Sequence, residues 1–234
     1  MLDISQVIAK LSLYPKSLGT LVALGGPTLY LILFRRRLGR KIRHKTCSGC
    51  LADLPIDSIR SIPSFTIKHA HQTRAVYDRA SLPVPTALLP SPPECPEDEL
   101  LTRYLRRNMT CFSRLPQAFI LRLACEAALR KTFQAEYIRK LDFEVGDVVC
   151  GGYKVAFRDS ERVEFAMEQG AIQGRLVTLL KRRGEETEFV TQTVMWKPDT
   201  VTGPMPLDIG IVKWLHELTS WWMLSSGVRY LLNS

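Results

Sequence analysis

From Val145 to Lys197, apolar residues recur at nearly every second position in four runs, "VGDVVCGGYKVAF", "RVEFAME", "GRLVTLL" and "TEFVTQTVMWK". Successive strand side chains point to opposite faces, so this period predicts a meander of four antiparallel strands. The intervening "RDSE", "QGAIQ" and "KRRGEE" have turn and loop composition. After several prolines and Gly203 the period lengthens. The tail "LDIGIVKWLHELTSWWMLSSGVRYLL" carries Trp214, Leu215, Leu218, Trp221, Trp222, Met223 and Leu224 around much of a helical circumference, which predicts a long, buried helix.

Upstream, "PEDELLTRYLRRNM" predicts a helix whose start is favoured by Pro96 and the acids Glu97, Asp98 and Glu99. A second helix is expected over Leu115 to Leu141, with Phe119, Leu123, Ala127 and Leu129 facing a core. Prolines punctuate the chain between Thr46 and Pro96, so long helices are excluded there. Within it, "TIKHAHQTRAVYDR" predicts a strand with Ile67, His69 and His71 on one side, and "LPVPTALLPSPPECP" an extended loop or lid.

The first segment follows a different rule. Leu18 to Phe34 is a run of seventeen uncharged residues, at the lower edge of what spans a bilayer, and Gly25, Gly26 and Pro27 interrupt it. Arg35, Arg36, Arg37, Arg40, Lys41, Arg43 and Lys45 follow without an intervening acid. These seven charges account for most of the formal net charge of +9, and the rest of the chain carries only +2. A basic block abutting an apolar run is the signature of a membrane anchor rather than of a nucleic-acid surface. Charges after the run, not before it, also argue against a cleaved signal peptide and orient the body of the chain to the cytosol. A helical hairpin over residues 2–34, packed on the domain, is the alternative.

Six cysteines thinly spread in a chain of 234 residues fit a reducing compartment. Cys47 and Cys50 form a C-x-x-C near His69 and His71, but that spacing is not a finger and no second pair exists. They read as ordinary thiols. No phosphate loop, G-x-S-x-G, G-x-G-x-x-G or H-E-x-x-H occurs, so hydrolase, kinase, dinucleotide and zinc chemistry are disfavoured. The expectation is no metal and no cofactor.

The chain from Arg162 to Trp196, "RVEFAMEQGAIQGRLVTLLKRRGEETEFVTQTVMW", followed by a long helix, resembles the helix-grip superfamily of START-like lipid carriers and polyketide aromatases and cyclases over the last third of the sequence. The resemblance implies an α+β fold in which a curved antiparallel sheet grips a long C-terminal helix, here preceded by an N-terminal membrane-anchor helix. Anchor, basic stop and compact apolar domain also look like small proteins of fungal natural-product pathways. Three segments are expected: 1–45 as anchor, 46–96 as a proline-rich strand and lid, and 97–234 as the helix-grip-like domain.

Candidate site residues follow from strand and helix phase. Gln192 shares a strand face with Val190, Val194 and Trp196, and either meets a substrate carbonyl in a pocket or faces solvent. Tyr153 shares a face with Val155 and Phe157, as a pocket donor or a core phenol. His216 falls on a helix stripe with Lys213, Glu217 and Ser220 and is suited to proton transfer. His69 and His71 point into a pocket or lie on the surface. Trp196, Trp214, Trp221 and Trp222 either wall a cavity or fill a core. Together these imply a cofactor-free, membrane-tethered enzyme that cyclises or isomerises a hydrophobic polyketide or terpenoid, including by pericyclic Diels–Alder-type closure. The alternatives are a lipid or hydrophobic-ligand carrier and a membrane adaptor. Expected partners are the small molecule, the endoplasmic reticulum membrane and neighbouring membrane-bound pathway enzymes, with no nucleic acid.

Overall fold

The computed structural model describes residues 26, 29–90 and 95–233. Most of the expected anchor run, and residues 91–94 of the expected lid, lie outside them. Among the described residues no helix is long and apolar enough to cross a membrane. The chain divides into Met1–Lys41 and Ile42–Ser234. In the first unit residues 29–39 are helical, with the rings of Tyr30 and Phe34 stacked one turn apart at 6.0 Å.

The second unit is α+β, built on one curved, fully antiparallel sheet of seven strands. These are β1 (Arg43–Cys50), β2 (Thr73–Pro85), β3 (Val148–Val149), β4 (Tyr153–Arg158), β5 (Arg162–Gln169), β6 (Ile172–Arg183) and β7 (Glu186–Pro198), in the order β1-β2-β7-β6-β5-β4-β3. The helices are α1 (Ser64–Lys68), α2 (Glu97–Phe112), α3 (Pro116–Ala124), α4 (Ala135–Arg139) and the C-terminal α5 (Gly210–Leu232). The expected sheet and terminal helix are thus present. Basic residues Arg43 and Lys45, placed by sequence in the anchor segment, belong instead to the first strand.

The two faces of the sheet are covered differently. Pairing register puts Val76, Asp78, Ala80, Val163, Phe165, Leu180 and Phe189 on one face. Helices α2 and α5 pack over it, with the Tyr104 ring 5.3 Å from that of Phe189. The two helices approach closely at Gly227, where an added Cβ would sit 2.5 Å from Asn108 Oδ1. On the other face lie Tyr77, Arg79, Arg175, Val177, Leu179, Val190, Gln192, Val194 and Trp196. Its cover is the connection from Leu51 to Gln72, a strap that buries Leu51, Leu54, Ile56, Ile59 and Ile62 against Tyr77, Val177 and Trp196.

Several local expectations change. The first run of the predicted meander is two strands, because the chain turns at Cys150 and Gly151, both with positive φ (49° and 73°). The expected helix over Leu115 to Leu141 is broken into α3, a 3-10 segment Ala127–Phe133 and α4. Extended backbone at Cys125 and Gln134 interrupts it, and Phe119 and Leu123 are exposed. His69 and His71 are not on a strand, since Ser64–Lys68 is helical and Ala70–Gln72 is 3-10. The strand begins at Thr73 and continues through Pro83 and Pro85, which were expected in a loop. Both prolines lie past Ser81, where β1 has ended and β2 pairs only with β7, so the missing N–H groups break no ladder on that side. Finally, α5 is not buried all round. It buries the stripe Glu217, Leu218, Trp221, Leu224, Val228 and Leu231, at three- and four-residue spacing, while Ile211, Val212 and Leu215 are exposed.

What holds the strap down is polar. Glu164, fully buried, accepts hydrogen bonds from the backbone N–H groups of Arg60 (3.0 Å) and Ser61 (2.8 Å). Arg175 donates to the Ser61 carbonyl from Nη2 (2.8 Å) and lies over the Trp196 ring at 5.3 Å. Charge-assisted bonds of this kind are the strong ones, and breaking one leaves the partner groups buried and unpaired. Glu164→Ala is therefore expected to destabilise the protein by about 3 kcal/mol. Urea unfolding followed by tryptophan fluorescence checks this, and a loss below about 1 kcal/mol would show that the strap is held by its isoleucines alone.

Candidate functional site

Where the strap stops covering its face, a cleft of about 550 Å³ opens. Pro55 and Ser58 of the strap form one wall, and β1, β2, β5, β6 and β7 supply the rest. Register explains who meets there: Lys45 pairs with Arg79, and Arg79 with Gln192. Along the neighbouring row Val190 pairs with Leu179, and Leu179 with Arg162. The floor thus mixes apolar Leu179 and Val190 with polar Tyr77 and Gln192, and the rim carries Lys45, Arg79, Arg162, Lys181 and Arg183 against Glu161.

A short polar relay runs along the floor. Ser58 Oγ donates to Gln192 Oε1 at 3.4 Å, and Gln192 Nε2 donates to the Tyr77 hydroxyl at 3.2 Å. That hydroxyl acts as acceptor here, so its own proton remains available to a ligand. Burial pushes the Tyr77 phenol up, Arg79 pulling the other way, and the phenol stays protonated across the neutral range. Above the floor Glu188 Oε1 meets Arg79 Nη2 at 3.3 Å, and its second oxygen lies 4.0 Å from Arg183. Arg162 donates to the Ser58 carbonyl and lies 3.5 Å from Glu164. Lys45 and Lys181 have no ion-pair partner among the described residues. The cleft is therefore a basic one with a hydrogen-bonding floor, suited to an acid with an apolar body.

The sequence-derived candidates scatter around this site. Gln192 is buried and lines the cleft. Trp196 shares its face but lies under the strap, beneath Arg175. Tyr153 is half-buried and away from the cleft, with the rings of Phe112 and Phe165 packed edge-on against it, and burial pushes its phenol up. It does not share a face with Phe157, because the β4–β5 register shifts between Val155 and Phe157, and Phe157 instead meets Arg60 at 5.2 Å. His69 is exposed against Phe65, and His71 is exposed. Neither converges with Cys47 or Cys50 into a metal-binding group among the described residues. Cys47 packs on the core beneath the strap, and Cys50 Sγ contacts the Ala70 carbonyl.

The remaining candidates belong to α5, on the opposite face. Trp221 is buried, while Trp214 and Trp222 are half-buried. His216 Nε2 lies 3.5 Å from Asp78 Oδ2, and His44 Nε2 lies 2.6 Å from Asp78 Oδ1. Burial alone would push the Asp78 carboxyl up, but His216 and His44 beside it outweigh that and lower it to about 2. The polar stripe expected on this helix is thus partly turned inward, with Glu217 buried. Tyr77 and Arg79, with Asp78 between them, were missed because the faces of "TIKHAHQTRAVYDR" were followed only as far as His71. The alternation of Ala75, Tyr77 and Arg79 was the signal that could have found them.

No family model and no curated protein matches this chain. Among solved structures, the crystal structure of CalU16 from Micromonospora echinospora is similar over 82% of this chain and 99% of that one, at 12% identity and a TM-score of 0.31. A likeness that slight carries no argument about fold or function.

Glu188 provides a pH test of the cleft. Burial would raise its carboxyl, but Ser81, Arg79 and Arg183 more than offset this and hold it below the ordinary value of 4.5. A depressed folded pKa means that the associated stability is present above the unfolded value and is lost as pH falls through the folded one. Between about pH 5 and about pH 3 the urea midpoint should thus fall less steeply in Glu188→Gln than in the wild type. Parallel slopes would mean that the arginines do not act on Glu188 in the folded protein.

Proposed function

We propose that this protein binds an acidic small molecule with an apolar body in the basic cleft and cyclises or isomerises it without a cofactor. The observation that carries this reading is the Ser58–Gln192–Tyr77 relay at the floor of a cleft rimmed by Lys45, Arg79, Lys181 and Arg183. A polyketide acid or its enolate suits such a site. The cations would stabilise negative charge as it develops on the substrate, and the Tyr77 proton would bond the carbonyl oxygen that receives it. Leu179, Val190 and Pro55 would hold the carbon skeleton folded, and bringing reacting carbons together lowers a ring-closing barrier by several kcal/mol without a nucleophile. The site proposed here differs from the one expected between sheet and terminal helix. That space is occupied by Trp221, Leu224 and Val228.

One observation favours a carrier instead: Tyr77 is pushed away from the acidity a proton-transfer group needs near neutral pH. In that reading the same relay only orients a bound acid. For either role the uncharged run Leu18 to Phe34 and the basic residues Arg35, Arg36, Arg37, Arg40 and Lys41 after it support attachment to the endoplasmic reticulum membrane, with Ile42–Ser234 on the cytosolic side beside membrane-bound enzymes that make or use the ligand.

The test uses the full chain in detergent with anilinonaphthalene sulfonate, an anionic aromatic, as the bound reporter. Oleate should displace it and oleyl alcohol should not. Lys45→Glu with Lys181→Glu should weaken binding at least about tenfold, equivalent to about 1.4 kcal/mol. Equal displacement by acid and alcohol would overturn the basic-cleft reading. A compound extracted with the protein from a host lysate then separates the two roles. An enzyme converts it, and Tyr77→Phe and Gln192→Leu abolish conversion while the reporter still binds. A carrier returns it unchanged with every variant.

A further inference from the structure

On the sheet face away from the cleft, three strictly local facts coincide. Asp78 projects from β2, His44 from the neighbouring strand β1 and Glu217 from α5, and one ligand atom of each lies within 4.8 Å of the other two. Asp78 and Glu217 are buried, with relative exposures of 4% and 5%, and the His44 side chain is only 18% exposed. A fourth donor adjoins them, His216 Nε2, 3.5 Å from Asp78 Oδ2 and so beyond a normal hydrogen bond.

We propose that this cluster is a structural site for a divalent transition metal, zinc being the best fit, ligated by His44, Asp78, His216 and Glu217. Zinc takes imidazole nitrogen and carboxylate oxygen at about 2.0–2.2 Å, which separates tetrahedral ligand atoms by about 3.3 Å. His216 Nε2 lies near that distance from one Asp78 oxygen, 3.5 Å from Oδ2, and the 2.6 Å contact of His44 Nε2 with the other, Oδ1, needs to open by about 0.7 Å. Charge argues the same way. A dication among two carboxylates and two neutral imidazoles leaves the cluster neutral. The set also has the outer wall that metal sites use to exclude water: the buried Trp221 ring stands edge-on to the His44 imidazole, 5.0 Å between centroids. With His216, which lies outside the three-residue group, drawn in as the fourth ligand, no position is left open, which is the pattern of a structural rather than a catalytic metal. Its work would be to bind the terminal helix to strands β1 and β2, and it is independent of the reaction proposed for the cleft.

The sequence conceals the site because its ligands are far apart along the chain and His44 sits among basic residues that belong to another pattern. The C-x-x-C, read in the sequence as ordinary thiols, serves as the control.

The experiment takes the full chain, stripped with EDTA and titrated with zinc chloride, and measures zinc content, melting temperature and the visible spectrum of the cobalt(II) form. One zinc per chain is expected, and zinc at a hundredfold excess over Kd should raise Tm by about 5–10 °C. The cobalt form should show tetrahedral visible bands without a sulfur-to-metal charge-transfer band. Cys47→Ser with Cys50→Ser should keep all three properties, and His44→Gln and Glu217→Gln should lose them. Should those variants fail to fold, His216→Asn, at a half-exposed position, should weaken zinc at least about tenfold while remaining folded. The proposal is overturned if stripped wild-type protein shows neither zinc uptake nor a Tm shift, if binding follows the cysteines, or if His216→Asn binds zinc as tightly as the wild type.

Discussion

A carboxylate and a guanidinium at the buried centre of a sheet face must be satisfied, and Glu164 and Arg175 find their partners in the backbone of the strap, not in each other. Glu164 collects the N–H groups of Arg60 and Ser61, and Arg175 takes the Ser61 carbonyl. Between Pro55 and Pro63 the strap has little regular hydrogen bonding of its own, so this is where its backbone polarity is neutralised. With that point fixed, the isoleucines on either side reach the sheet, Ser58 is delivered to Gln192, and Pro55 becomes a wall of the cleft. Both the second core and the site therefore hang on two ionic side chains.

Strand β2 is the second organising element. It lies second from one edge of the sheet, between β1 and β7, and its consecutive residues Tyr77 and Asp78 face opposite ways. One supplies the phenol of the cleft, the other the carboxylate that gathers His44, His216 and Glu217. A slip of one residue would exchange them across the sheet, placing a charge among the strap's isoleucines and a phenol against the helix. The long pairing with β7, from Thr73 to Pro85, guards against that.

Much of this was legible in the amino-acid sequence, and what was not has physical causes. Strands β5, β6 and β7 were legible because their runs are rich in Val, Phe and Thr and are bounded by turn residues, and the terminal helix announced itself by length and aromatic content. Gln192, Val190, Val194 and Trp196 were rightly grouped, since strand periodicity determines which side chains share a face. It does not determine which face is covered, or by what, and the site was accordingly expected beneath the helix. A bulge moved Phe157 away from Tyr153, a feature with no signature in "YKVAF". The histidines of "TIKHAHQ" alternate as strand residues do, yet the local chain turns helical and leaves them at the surface. His44 could not be found by pattern at all. Its role depends on contacts with residues 34 and more positions away.

The strap joins β1 to β2, and those strands are antiparallel neighbours. A two-residue turn would connect them with no change in sheet order. The excursion from Leu51 to Gln72 is thus dispensable to topology and answers instead to what it covers, the second core and the cleft. In evolutionary terms it is an exchangeable part: insertions, deletions or new side chains in it can reshape one wall of the cavity while the strands that carry Tyr77 and Gln192 stay in register. The shape of the cleft can thus change at the pace of a loop, on a scaffold that changes slowly.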